Sequence, residues 1–264
     1  MIKRTPALLT CTQAVRPMAA FVAVLSLAAC SVLPQAPSVG TQANPWELAG
    51  RAEQGKPLDR SPSLWHHQTF PGKRKNQYSY VWREGRPAMA VRSDGAISAL
   101  RKVVDAQAGP VSGIRFSWKV ASLLEKADLQ DAARSDSPVR IVLAFEGDRS
   151  LLSARDQMLS ELARALTGEE MPYATLMYVW SNQLPVGTVV NSRRTDRIRK
   201  MVIESGPVGL NRWLDYERDV RADYERAFGE APGRLVAVGI MSDSDNTGGS
   251  VRAWYGPVVL QRSP

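Results

Sequence analysis

The chain has 264 residues, 44% hydrophobic and 23% charged, which is enough for a sizeable core and unlike a collagen-like, disordered or polytopic membrane chain. A formal charge of +8 and two cysteines suggest an anionic partner and a single disulfide. Both suggestions depend on whether the first thirty residues persist.

The chain begins with the layout of a secretory signal. Lys3, Arg4 and Arg16 form a basic leader, Met18 to Ala29 is an apolar run of twelve residues, and small residues precede Cys30. A membrane span needs about 20 apolar residues. Leu27-Ala28-Ala29-Cys30 resembles the bacterial lipobox, in which the cysteine is acylated by diacylglycerol, the peptide is cut before it, and a further chain such as palmitate acylates the new amine. Cleavage there leaves 235 residues at a formal +5, with Cys11 removed and Cys30 in a thioether. That product has no disulfide, and its several acyl chains anchor it stably. Ser31 stands where inner-membrane lipoproteins carry Asp, so the expectation is the outer membrane, periplasmic face. Residues 1–29 read as the signal peptide, 30–45 as the lipidated cysteine and a Pro-bearing tether, and 46–264 as one domain.

That domain reads as mainly strands. Tyr78 to Trp82 and Met89 to Arg92 flank a charged turn at Arg83 to Arg86, and Asp94-Gly95 leads into Ala96 to Val104. Ile114, Phe116, Trp118 and Val120 alternate with polar residues, placing the cations on the opposite face. Val139 to Phe145, Ala174 to Trp180, Leu235 to Met241 and Val251 to Leu260 are more continuously apolar or aromatic, as in central strands covered on both faces. Arg197 to Glu204 looks like a more exposed strand. Leu151, Leu152, Met158, Leu159, Leu162 and Leu166 recur at helical spacing, with Ser150 as N-cap and Gly168 past the end, so Arg155, Asp156, Glu161 and Arg164 face water. A second helix is expected over Leu210 to Phe228, with Trp213, Tyr216, Val220, Tyr224, Ala227 and Phe228 on one stripe. The fold class is all-β, mainly antiparallel: a jelly-roll sandwich with two added helices.

The strongest local feature is Ser242-Asp243-Ser244-Asp245-Asn246-Thr247-Gly248-Gly249. Asp243, Asp245 and Asn246 offer hard oxygens to calcium, a ligand or the backbone amides of an Asx-rich turn; Trp254 at the twelfth position excludes an EF-hand. Arg140 is a cation in an otherwise apolar strand, placed to pair with Asp243 or Asp245 or to point outward. Trp180, with Asn182 close behind, and Trp254 sit at expected strand ends, where aromatics stack on sugar faces or simply pack. Adjacent His66 and His67 diverge on a strand and do not share a zinc ion. No Gly-x-Ser-x-Gly elbow, phosphate loop or dinucleotide fingerprint is present. The basic run Arg193 to Lys200 suits lipid headgroups, lipopolysaccharide or cell wall in an exported chain, and not nucleic acid, or a plain solvated face.

Phe116 to Val120, Val139 to Gly147, Thr175 to Trp180, Arg218 to Gly229 and Ser242 to Thr247 together resemble a bacterial envelope family catalogued as domain of unknown function 3047, over residues 65 to 262. That resemblance implies a jelly roll similar to galactose-binding and family-eleven carbohydrate-binding modules, with a structural calcium possible, and supplies no activity. The expectation is a non-catalytic binding module for a glycan, peptidoglycan or lipopolysaccharide, contacting it through Trp180, Asn182, Asp243, Asp245, Asn246 and Trp254. A periplasmic polysaccharide hydrolase and a structural lipoprotein without small ligand are the competing classes.

Overall fold

A computed structural model describes residues 44–48 and 64–262. Cys30, the signal segment 1–29 and most of the tether lie outside the described residues. The strands are β1 (His66–Thr69), β2 (Gln77–Arg83), β3 (Arg86–Asp94), β4 (Ile97–Val103), β5 (Val111–Val120), β6 (Ser137–Phe145), β7 (Ala174–Ser181), β8 (Val189–Asn191), β9 (Ile198–Ser205), β10 (Leu214–Asp219), β11 (Leu235–Asp243), β12 (Ser250–Tyr255) and β13 (Val259–Arg262). Helix α1 (Ala154–Thr167) lies between β6 and β7, and α2 (Val220–Phe228) between β10 and β11.

They form a β-sandwich of jelly-roll type. One sheet has the order β1-β4-β11-β6-β7-β9-β8 and the other β10-β5-β12-β3-β2, with β13 also on β5. All pairs are antiparallel except β7 with β9. The chain changes sheet at β1–β2, β3–β4, β4–β5, β5–β6, β9–β10, β10–β11 and β11–β12, so each sheet covers the other's apolar face. The expected alternation holds on β5: Ile114, Phe116, Trp118 and Val120 are buried. Phe116 stacks on Tyr178 of the opposite sheet at 5.9 Å, and Trp118 lies 6.4 Å from Trp180. The β2–β3 hairpin turns on Glu84 and Gly85, both at positive φ (54° and 75°), as a two-residue turn of type I′ requires. The buried apolar residues named here fall inside Ala43–Pro264, which forms one compact unit with its own core.

Four local expectations are corrected. The second helix covers only its last part, because Leu214–Asp219 is a strand, hydrogen-bonded to Gly113–Trp118 of β5. Trp213, Tyr216 and Val220 fit a helical period, but Leu214, Tyr216 and Arg218 also alternate, and the unpaired edge of β5 selects the extended form. Asp219 then caps α2 by accepting from the Ala222 amide (2.9 Å). Val251 to Leu260 is two strands, split at Gly256-Pro257, where proline offers no amide hydrogen. Strand β9 is enclosed between β7 and β8, with Lys200 to Ile203 buried. Helix α1 is capped by Ser153, Ser150 belonging to a preceding 3-10 turn, and Asp156 is buried while Met158, Leu162 and Leu166 are exposed.

Candidate functional site

The acidic segment ends β11 beneath the loop from Ala121 to Asp136, which crosses between sheets and folds over the outer side of the seven-stranded sheet. Arg140 and Asp243 form an ion pair of 2.6 Å, with both side chains 5% exposed. Arg140 also donates to the Ser135 carbonyl (2.7 Å), and Lys200 donates to the Ser135 hydroxyl. Lys73 pairs with Asp245. Asp136 accepts from the Thr247 amide (2.8 Å) and the Thr247 hydroxyl (2.7 Å), closing the Asx-rich turn.

Oxygens of Asp136, Asp243 and Asp245 lie within 4.8 Å of one another. Arg140 and Lys73 already neutralise two of these carboxylates and the third caps the loop, whereas calcium needs six to eight oxygens. The donor set does not fit calcium. Burial pushes the Asp243 carboxyl up from its ordinary range, against the pull of Arg140. The segment is a structural lock.

The other residues expected to bind are dispersed. Trp180 is in the core at 1% exposure, its indole donating to the Gly206 carbonyl (3.0 Å). Asn182 donates to the Leu124 and Ala127 carbonyls (2.8 and 3.0 Å), holding the crossing loop. Asn246 is exposed beside the lock. Trp254 lies apart from all of them, on the outer face of the six-stranded sheet. His67 Nε2 is 2.9 Å from Ser98 Oγ, but Ser98 is fully buried and accepts from the Asn76 amide, so this pair presents no nucleophile. Within the basic run, Arg197 donates to Glu230 and stacks on Tyr173 at 4.0 Å, and Lys200 is buried; Arg193 and Arg194 are exposed.

The strand registers build a polar platform around Trp254. Its neighbours across the sheet are Ala90 on β3 and Lys119 on β5. Arg83 places its guanidinium 4.6 Å over the Trp254 ring, and Lys119 pairs with Glu84 from the hairpin turn. Ser117 and Arg115 follow Lys119 on the same face, opposite Asp215 and Glu217 of β10. Arg86 lies over the Trp213 ring at 5.4 Å and pairs with Asp215 (2.6 Å). Between them opens a cleft of about 510 Å³, lined by Arg86, Arg115, Ser117, Asp215, Glu217 and Pro257 among others. The alternation on β5 already places Arg115, Ser117 and Lys119 opposite the core; the arginines from β3 and the hairpin join them only through sheet register.

The model of the family described as protein of unknown function (DUF3047) matches residues 63–259. The chain belongs to the DUF3047 family. No curated protein matches it. Among solved structures, the DUF3047 chain is similar to the xyloglucanase domain of NopAA, a type three effector from Sinorhizobium fredii, in complex with cellobiose (8% identity, TM-score 0.39, 75% of this chain and 93% of that one). It is also similar to the family 11 carbohydrate-binding module of the cellulosomal cellulase Lic26A-Cel5E of Clostridium thermocellum (9%, 0.38, 75% and 88%). Identities of this size transfer neither ligand nor site residues to the DUF3047 protein.

Lys200 in the DUF3047 lock carries a pH signature. Burial, with the Arg140 guanidinium adjacent, lowers its ammonium to about 7, against about 10.4 in an unfolded chain. Between those values the unfolded chain holds a proton that the folded chain has released, so stability rises with pH, by at most about 1.4 kcal/mol per unit. Below pH 7 both states are protonated and the contribution is flat. In urea denaturation at pH 7 and pH 9, wild type gains stability relative to Lys200→Met; parallel pH dependences would refute the depressed ammonium.

Proposed function

We propose that the protein is a non-catalytic module that binds a glycan or envelope polymer on the outer face of its six-stranded sheet. The carrying observation is the placement on one face of Trp254 and the Trp213-flanked cleft, which is lined by Arg115, Ser117, Asp215 and Glu217. Indole rings stack on the apolar faces of sugars, and planar guanidinium and carboxylate groups bond vicinal hydroxyls. Lys119 to Arg115 extends about 13 Å along the strand, the scale of an oligosaccharide. Arg92 and Arg252 stand directly opposite one another on β3 and β12, and this like-charge pair is relieved by an anionic group, as in a polymer bearing carboxylates or phosphates.

The leader, the apolar run and Leu27-Ala28-Ala29-Cys30 support placing this module on an acyl anchor at Cys30, on the periplasmic side of the outer membrane. Calorimetry against peptidoglycan fragments and lipopolysaccharide tests the binding face. Trp254→Ala weakens binding about tenfold, equivalent to about 1.4 kcal/mol, within the range of a lost stacking contact. Unchanged affinity in that variant, or heat from neither polymer with wild type, overturns the proposal.

A further inference from the structure

Helix α1 is mounted with a polar side inward. Its buried residues are Asp156 and Ser160; Ser153 and Asp156 hydrogen-bond each other (2.9 Å), and Arg149 donates to Ser160 (3.2 Å). Leu151, Met158, Leu162 and Leu166 are instead 70%, 62%, 54% and 65% exposed. Positions 158, 162 and 166 stack on one face at four-residue spacing, and Leu151 precedes them in the entering turn. Met158, Leu162 and Leu166 therefore present an apolar face to solvent, the opposite of the usual amphipathic mounting.

The surrounding charge bears on what this face meets. Arg155 is exposed on the same side, one turn before Met158, and donates to the Arg193 carbonyl (3.3 Å). That contact brings exposed Arg193 and Arg194 alongside the helix. The acids at its far end are engaged within the chain: Glu170 with Arg149 and Arg164, and Glu169 with Arg101. Glu161 points about 100° around the helix from Leu162. From Met158 to Leu166 the strip is about 12 Å long and 10 Å wide, on the order of 100 Å², well short of the roughly 800 Å² per partner of a stable protein pair. A lipid surface sets no such area requirement, and it rewards leucine insertion together with arginine contact to phosphates.

We propose that α1 docks strip-down on an anionic lipid surface. Leu151, Met158, Leu162 and Leu166 enter the boundary between headgroups and acyl chains, and Arg155, Arg193 and Arg194 meet the phosphates. This docking needs no acyl chain on Cys30, and it orients the sandwich independently of what the sheet face binds.

The compact unit Ala43–Pro264, once cooperative urea unfolding has shown that it folds, is sedimented with vesicles of equal parts phosphatidylethanolamine and phosphatidylglycerol, and with phosphatidylcholine vesicles. The segment excludes the leader and Cys30, which would bind lipid themselves. Binding is expected to the anionic vesicles only, reduced at least tenfold by Met158→Gln with Leu162→Gln. Arg193→Gln with Arg194→Gln weakens it and flattens its salt dependence. All four positions are exposed, and unchanged circular dichroism confirms folding. Equal binding to both vesicle types, or equal binding by the leucine-strip variant, overturns the proposal. So does a wild-type dimer that the strip variant converts to monomer without any vesicle binding, which would assign the strip to a second copy of the chain.

Discussion

Asp243→Ala lowers the unfolding free energy by about 3–5 kcal/mol, the cost of leaving a buried charge without its partner. Arg140 is 4% exposed and keeps only the Ser135 carbonyl when the carboxylate is removed. The guanidinium cannot escape to water, because β6 carries it between β11 and β7 and the crossing loop covers it. Replacing both partners, Arg140→Met with Asp243→Leu, returns most of the loss, since an apolar pair of similar volume avoids the desolvation of two charges. Urea denaturation of the single and double variants measures both. A single variant within about 1 kcal/mol of wild type would show that the lock contributes little.

Asp223→Ala costs about 2–4 kcal/mol, for a different reason. Asp223 on α2 accepts from the Tyr178 hydroxyl of one sheet (2.8 Å) and from Arg218 Nε of the other (2.8 Å), so one carboxylate ties the helix to both layers. Tyr178 is fully buried, and burial, with the Asp223 charge beside it, pushes its hydroxyl well above the ordinary range. It therefore remains a donor at every working pH, and without Asp223 that donor is orphaned. Asp223→Asn keeps an acceptor for Tyr178 and loses the charge, so it falls between wild type and alanine. Equal losses in the two variants would mean that packing, and not this hydrogen-bond network, dominates at the position.

The strands were legible because a half-buried sheet imposes a period of two on its residues, and β5 and the β2–β3 hairpin carry it plainly. Leu214–Asp219 was not, because its apolar residues satisfy both periods and only the free edge of β5 decides between them. Aromatic residues misled for a related reason. Trp180 and Trp254 both lie next to the last residue of a strand, yet Trp180 follows Leu176 and Tyr178 into the core and Trp254 stands between buried Ala253 and Tyr255 on the outer face. The pairing of Arg140 with Asp243 is one of the arrangements the sequence offers, and it engages one of the carboxylates expected to contact a ligand.

Length, charge and two cysteines opened several possibilities, and the pattern along the chain reduced them to a strand-rich domain behind a basic and apolar N-terminal segment. Periodicity alone determined which residues of β5 face the core, since side chains alternate whatever the partner strand is. Tertiary structure decided the rest. Register across β10, β5, β12 and β3 assembles Trp254, Lys119, Ser117 and Asp215 from distant segments, and α1 turns its leucines outward although its pattern suits a core. A sequence records which side of an element is apolar, but what covers that side depends on contacts between residues far apart in the chain.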